Sequence, residues 1–350
     1  MIKLDLTLLA ELCTIPGAPG YESRIRKKIL ELTAPFAHKQ YIDNMGNLIV
    51  VKKGSSDAKK IMLAAHMDEI SFIVTHIDEQ GFLKFHPLGG FDPKTLTSMR
   101  VLVHGTEDLM GVMGAKPIHI MSAEERNKAP QLHDFYIDLG LPKEKVQEMV
   151  SVGNPVTRYQ QFVTFGDMVN TKSLDNRVAV YIQIEALKSL KNPPYDVYAV
   201  FTVQEEVGLR GALVAAHHIN PDFGIAIDVT VANDTPGSQP HEKITQLGKG
   251  TAIKIMDSGT ICDPRMVSFL QLVANGAKIP WQPEILTAGG TDTAGIQRMS
   301  TFGAIAGAIS IPLRYVHQVT EMAHQQDIAA SIDLLTKACE QLDHYTWDPL

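Results

Sequence analysis

Cysteine is scarce in this chain. The three present, Cys13, Cys262 and Cys339, are odd in number and far apart in 350 residues. That excludes a disulfide framework and predicts buried thiols in a reducing, cytoplasmic setting. Long apolar runs are missing too, and no stretch reaches the roughly 18 uncharged residues that a membrane span needs. The opening "MIKLDLTLLAELCTIPGAPGYE" breaks its apolar rhythm at Asp5 and Glu11 and lacks the basic start and small-residue cleavage site of a secretory leader. Basic excess is absent as well. A net charge of -7 leaves no stripe for phosphate backbones, so no nucleic acid and no membrane is expected as a partner. There is no internal repeat or low-complexity tract.

What is present is ordinary for a folded enzyme: 45% hydrophobic and 20% charged residues supply a sizeable core and argue against disorder. At 350 residues the chain exceeds a typical domain, so two domains, or one large domain carrying an insertion, is expected. Residues 4–14 and 21–34 read as helices separated by the turn "PGAPG". "GNLIVVKKG" and "KKIMLAAHMDEISFIV" read as strands, the second with a continuous apolar run typical of a strand covered on both faces. From Ser71 to Thr164 short alternating strands punctuated by Gly and Pro predict a small β-barrel or sandwich. Beyond it, "SLDNRVAVYIQIEALKSL" reads as an amphipathic helix, "YDVYAVFTVQEE" as a buried strand, "GLRGALVAAHHI" as a helix and "FGIAIDVT" as another buried strand. "DIAASIDLLTKACEQL" supplies a closing helix. Such alternation predicts an α/β fold with a mixed, mostly parallel central sheet flanked by helices and interrupted by an inserted small β-barrel. The expected division is 1–70 with 165–350 for one domain and 71–164 for the insertion.

In open α/β sheets, ligands bind beyond the carboxyl ends of the strands. "IMLAAHMDE" finishes on His66 and Asp68, "AVFTVQEE" on Glu205 and Glu206, "FGIAIDVT" on Asp228, and "ISIPLRYVHQ" carries His317. Asp175, in "TKSLDNR", either caps its helix or faces the same crevice. Each residue alone has a plain structural reading as a packed histidine, a helix cap or a solvated strand end. Convergence of several such groups without a compensating Lys or Arg calls for divalent cations. Nitrogen and oxygen ligands without nearby cysteine suit zinc, cobalt or manganese, and two ions sharing a carboxylate and a water form a recurring hydrolytic design.

"AAHMDEISFIV", "SLDNRVAVY", "VQEEVGLRGA", "AIDVT", "GGTDTAGIQ" and "ISIPLRYVH" resemble, in order and spacing, the glutamyl aminopeptidase and tetrahedral aminopeptidase family of dinuclear metallopeptidases. "DNMGNLIV" and "GVMGAKPIHIMSAEER" extend the likeness over nearly the whole chain. The resemblance implies a zinc-exopeptidase-like catalytic domain with two divalent metal ions per subunit. His66 and Asp228 would bind one, Glu206 and His317 the other, and Asp175 would bridge both. Glu205 would be the general base and Asp68 the carboxylate that orients His66. It further implies cleavage of N-terminal residues from peptide substrates, and a homo-oligomer, often a hollow tetrahedral dodecamer, assembled through the inserted barrel. Ser71, where the family commonly has glycine, and "VHQVT", which lacks the usual Ser-Pro, depart from the pattern beside the site. "GGTDTAGI" is a glycine-rich loop without the Gly-Lys-Ser/Thr ending of a phosphate binder. Asp292 in it is expected either to cap the next helix or to lie near the substrate. His76, His217, His218 and His241 read as surface or packing residues. Two alternatives stay open from the residues themselves: a deacylase or related amidohydrolase using the same metals, and a glycoside hydrolase using two acids.

Overall fold

The computed structural model describes residues 3–348. Helices α1 (Leu6–Thr14) and α2 (Ser23–Thr33) precede strands β1 (Lys39–Ile42), β2 (Leu48–Lys52) and β3 (Ser56–His66). Then follow β4 (Ser71–Ile77), β5 (Leu83–Leu88), β6 (Arg100–His104), β7 (Asp108–Gly114), α3 (Ala123–Arg126), β8 (Tyr136–Asp138), α4 (Lys143–Met149) and β9 (Pro155–Tyr159). Next come β10 (Val163–Phe165), β11 (Met168–Thr171), α5 (Leu174–Ser189), β12 (Tyr195–Thr202), α6 (Arg210–Ile219) and β13 (Phe223–Val231). The chain finishes with β14 (Thr251–Met256), α7 (Pro264–Ala277), β15 (Trp281–Ile285), α8 (Thr293–Met299), β16 (Ile305–Arg314), β17 (Glu321–His324) and α9 (Gln325–Glu340).

At the centre of a mixed sheet, β12, β3, β13 and β16 run parallel side by side. These strands are buried on both faces, which is why they read as continuous apolar runs instead of alternating ones. One face packs on α1, α5, α7 and α9, the other on α6 and α8. Antiparallel strands extend the sheet on both sides, β1 and β2 beyond β12, and β17, β11 and β10 beyond β16. The pairing of β12 with β3 brings Thr202 beside His66, so these two parallel strands finish together at one edge.

Strands β4, β5, β8, β7, β6 and β9 close into a separate antiparallel barrel. Its core is a distinct cluster around Phe72, Val101, Met113 and Phe135, with Phe72 stacked on Phe91 at 4.3 Å.

One helix departs from its expected pattern. Instead of showing a polar face, α5 is buried at every residue from Leu174 to Ile184, because it is sandwiched between the sheet and the layer of α1 and α9. Its polar residues are satisfied inside the protein: Asn176 Nδ2 donates to the Ile227 carbonyl at 3.0 Å and Gln183 Nε2 to the Val200 carbonyl at 3.1 Å. The segment "SAEERNKAP" yields only the single turn α3, opened by a Ser122–Glu125 capping box. Among the described residues no helix is long and apolar enough to cross a membrane. All three cysteines are buried and free.

Candidate active site

The chain leaves β12 at Thr202 and turns sharply. Gln204 has a left-handed φ of 54°, and the Glu205 carbonyl accepts the N–H groups of Gly208 and Leu209, both at 2.9 Å. Strand alternation therefore ends before the acidic pair, and Glu205 and Glu206 both line one cavity of about 410 Å³. His66 closes β3 beside them. Asp228 is not a strand end as expected but lies inside β13, followed by Val229 to Val231. His317 lies beyond β16 in a loop where both it and Tyr315 have left-handed φ values, 65° and 60°. Asp175 enters from the first turn of α5, where the backbone is not yet helical.

These residues meet in two groups of donor atoms, His66 with Asp175 and Asp228, and Asp175 with Glu206 and His317, each within 4.8 Å. Asp175 is divided between them: Oδ1 is 3.3 Å from His66 Nε2, and Oδ2 is 3.3 Å from His317 Nε2. Asp228 Oδ1 stands 3.7 Å from His66 Nε2, and Glu206 Oε2 stands 3.4 Å from His317 Nε2. Glu205 belongs to neither group, although its Oε2 comes within 3.8 Å of His66 Nε2.

Asp68 sits behind this array, fully buried. Its Oδ1 is 3.5 Å from His66 Nδ1, too long for a normal hydrogen bond. Its oxygens instead accept the backbone N–H groups of Glu205 at 3.1 Å and Glu206 at 3.2 Å. Asp292 does not cap α8 with its side chain. It is buried, and its Oδ2 accepts the Thr202 hydroxyl at 2.5 Å, because the loop before α8 folds under the end of β12. His76, His217, His218 and His241 lie outside both donor groups.

The electrostatics are those of excess negative charge. Burial pushes the Glu205 carboxyl well above the usual range, with Asp228, Glu206 and Asp292 adding to it and His66 opposing. Burial raises Glu206 and Asp228 in the same direction. Asp175 goes the other way: burial raises it, but hydrogen bonds from His317 and His66 outweigh that and hold it low. Burial works against protonating His317, yet Asp175 and Glu206 push it up to about 11. Three carboxyls raised beside two raised imidazoles mark a site that a divalent cation would neutralise. Among the described residues no Lys or Arg comes within 4.0 Å of the carboxylates of Asp68, Asp175, Glu205, Glu206 or Asp228. One oxygen of Glu206 is buried without a hydrogen-bond partner. An all N and O donor set with a shared carboxylate and an orphaned carboxylate oxygen fits a pair of divalent metals.

Several residues around this cavity escaped sequence reasoning. Gly90, between β5 and β6, also lines it. Its neighbour Gly89 has φ +103°, and a Cβ there would meet Ile70 Cγ2 at 2.5 Å, so only glycine lets the loop pass so close. Lys254 also lines the cavity, buried and paired with Glu284 at 2.6 Å. A lysine inside the apolar run "TAIKIMD" was the available signal for a buried cation.

The profile of the M42 glutamyl aminopeptidase family matches residues 46–334. A curated relative from Acetivibrio thermocellus is 42% identical over 332 residues, covering 95% of this chain and 97% of the relative. The lysyl aminopeptidase of Pyrococcus furiosus is 33% identical over 355 residues, covering 99% of this chain and 100% of that protein. Among solved structures, an aminopeptidase from the archaeon Desulfurococcus kamchatkensis superposes with a TM-score of 0.91 at 38% identity, covering 96% of this chain and 94% of its own. The TET1 peptidase of Pyrococcus horikoshii, which can assemble into a tetrahedron or a large octahedral shell, gives 0.86 at 33% identity over 95% of this chain and 98% of its own. Aminopeptidase relatives on this scale leave the deacylase and glycoside-hydrolase alternatives unfavoured, and they place the peptide hydrolase reading ahead of both. This chain therefore belongs to the M42 glutamyl aminopeptidase family of metal-dependent aminopeptidases.

Proposed function

We propose that this aminopeptidase holds one divalent ion on His66 and Asp228, a second on Glu206 and His317, and both on Asp175, with zinc, cobalt or manganese as the metal. The observation that carries this reading is the division of Asp175, one oxygen 3.3 Å from each imidazole. When bound, such a pair lowers the pKa of a water and polarises the scissile carbonyl.

Glu205 is the group left to move protons. It takes one from the attacking water as the hydroxyl oxygen bonds to the carbonyl carbon, and returns it to the amine nitrogen as the C–N bond breaks. Asp68 sets the aim of Glu205 and Glu206 by fixing their backbone N–H groups. The substrate's α-ammonium group is drawn to the same carboxylate-rich floor, which restricts cleavage to the first residue. Peptides are the expected substrates. The barrel, β4 to β9, is the inserted domain expected over residues 71–164, although β10 at the end of that range pairs into the central sheet; it carries subunit contacts in a homo-oligomer, of which a tetrahedral dodecamer is the expected form. Buried, free thiols fit a cytoplasmic location.

The test compares a free-amine peptide with its N-acetylated form. Turnover of the first and none of the second is expected; equal turnover would remove the free-amine requirement and favour a deacylase.

A further inference from the structure

Arg158 projects from barrel strand β9 yet is fully buried. Its hydrogen bonds go out of the barrel. Nη1 donates to the Gln318 carbonyl at 2.9 Å and lies 3.4 Å from Glu321 Oε1, and Nη2 reaches the Ser173 hydroxyl at 3.5 Å. Each partner stands next to a residue of the Asp175–Glu206–His317 group. Gln318 follows His317. Glu321, itself fully buried, uses its other oxygen, Oε2, to accept the backbone N–H of Asp175 at 3.0 Å. Ser173 is two positions before Asp175 in the chain.

The loop that Arg158 grips needs a restraint. Tyr315 and His317 both adopt left-handed φ values, a conformation that non-glycine residues keep only where the surroundings impose it. A turn bond from Gln318 N–H to the Tyr315 carbonyl, 3.1 Å, closes the loop internally. From outside, Asn170 Nδ2 holds the Thr320 and Glu321 carbonyls at 2.6 and 3.0 Å, and Arg158 holds Gln318. One guanidinium thus ties the His317 loop to the carboxylate that sets the backbone of Asp175.

We infer that Arg158 is a positioning residue through which the barrel completes the Asp175–Glu206–His317 half of the metal centre within the same subunit. The planar fork of arginine suits this: Nη1 serves the Gln318 carbonyl and the Glu321 carboxylate while Nη2 reaches the Ser173 hydroxyl, a spread of partners that the single ammonium of lysine cannot meet in the same geometry. This inference rests on the assignment of Asp175, Glu206 and His317 as a metal site.

The experiment strips the full-length protein with a chelator and titrates zinc by calorimetry into wild type, Arg158→Lys and Arg158→Met. Near-UV circular dichroism checks packing, and kcat and KM are read at saturating zinc with a free-amine aminoacyl substrate. Wild type is expected to take up two equivalents. In both variants one of the two equivalents should lose at least about tenfold in affinity, with kcat falling by a similar factor and KM moving less than about threefold. A variant with wild-type packing and an unchanged isotherm would overturn the inference while leaving the metal assignment intact. If neither variant regains the wild-type near-UV spectrum, Arg158 serves folding and the inference also falls. Uptake of a single equivalent by wild type would refute the metal assignment, and the inference with it.

Discussion

Asp68 holds Glu205 by its backbone: Asp68 Oδ1 accepts the Glu205 N–H at 3.1 Å, while Oδ2 takes the next N–H, that of Glu206, at 3.2 Å. A single buried carboxylate thereby sets where two adjacent side chains begin. Asp68→Ala leaves both N–H groups without that acceptor and lets the turn relax. We expect kcat/KM to fall by about 10- to 100-fold, the range for partners that orient metal ligands. Steady-state kinetics together with metal analysis of the purified variant measure it, and unchanged values of both would exclude an orienting role.

The adjacent glutamates should separate on substitution. Glu206→Gln is expected to bind one metal equivalent poorly, since Glu206 is a member of a donor group. Glu205→Gln should keep both equivalents and lose about 10²- to 10⁴-fold in kcat, the usual contribution of a general base. Metal content and kcat measured on the two variants give the answer; a Glu205→Gln protein depleted of metal would assign Glu205 as a ligand instead.

Removing metal should affect stability as well as turnover. The site buries several carboxylates with no Lys or Arg partner, and a bound cation that the unfolded chain does not hold raises the melting temperature by mass action. Dialysis against a chelator is expected to abolish hydrolysis and lower Tm, and adding back zinc, cobalt or manganese should restore both. A Tm indifferent to chelation would argue against occupancy of these donors.

Stability in acid should depend on Glu69. Burial raises its carboxyl, but Lys172, Arg177 and Arg158 outweigh that and hold it at about 2, against an ordinary 4.5. Lys172 Nζ is 2.7 Å from Glu69 Oε2. A carboxyl depressed in the folded state binds fewer protons there than in the unfolded chain. Its contribution is complete above pH 4.5 and is lost as pH falls towards about 2. Glu69→Gln should be less stable at neutral pH, since Lys172 is left buried without its partner, and should show a shallower loss between those two pH values. Urea unfolding across that window tests it, and parallel curves for the two proteins would contradict it.

In the inserted segment, Ile118 and Ile120 are 62% and 67% exposed, Met110 and Val112 on β7 are half-exposed, and Val112 and Ile118 line one cavity. If the barrel carries subunit contacts, the double substitution Ile118→Asp with Ile120→Asp should shift the protein to smaller species in sedimentation velocity, without loss of secondary structure. An assembly of unchanged size would move the contacts elsewhere.

Some elements were legible in the sequence because their physics is local. β12 and β13 are covered on both faces, and a strand so covered shows as an apolar run. The barrel showed in its short segments broken by glycine and proline. α5 was misread as amphipathic, since polar residues such as Asn176 and Gln183 look like a wet face until their buried carbonyl partners are in place. The choice for Asp292 between helix cap and a place near the substrate stayed open because Thr202, whose hydroxyl it accepts, is 90 positions away.

By itself the sequence determined which residue types stood at the crevice, His66, Asp68, Asp175, Glu205, Glu206, Asp228 and His317, because charged and imidazole groups interrupting apolar runs are conspicuous. Tertiary structure alone decided how they divide: that the two oxygens of Asp175 face different histidines, that Asp68 grips backbone more closely than imidazole, and that Arg158 of the barrel reaches the His317 loop. Those relations are hydrogen bonds between groups up to 163 positions apart. Chain periodicity carries no trace of such bonds; they arise only when folding has brought sheet, barrel and loop together.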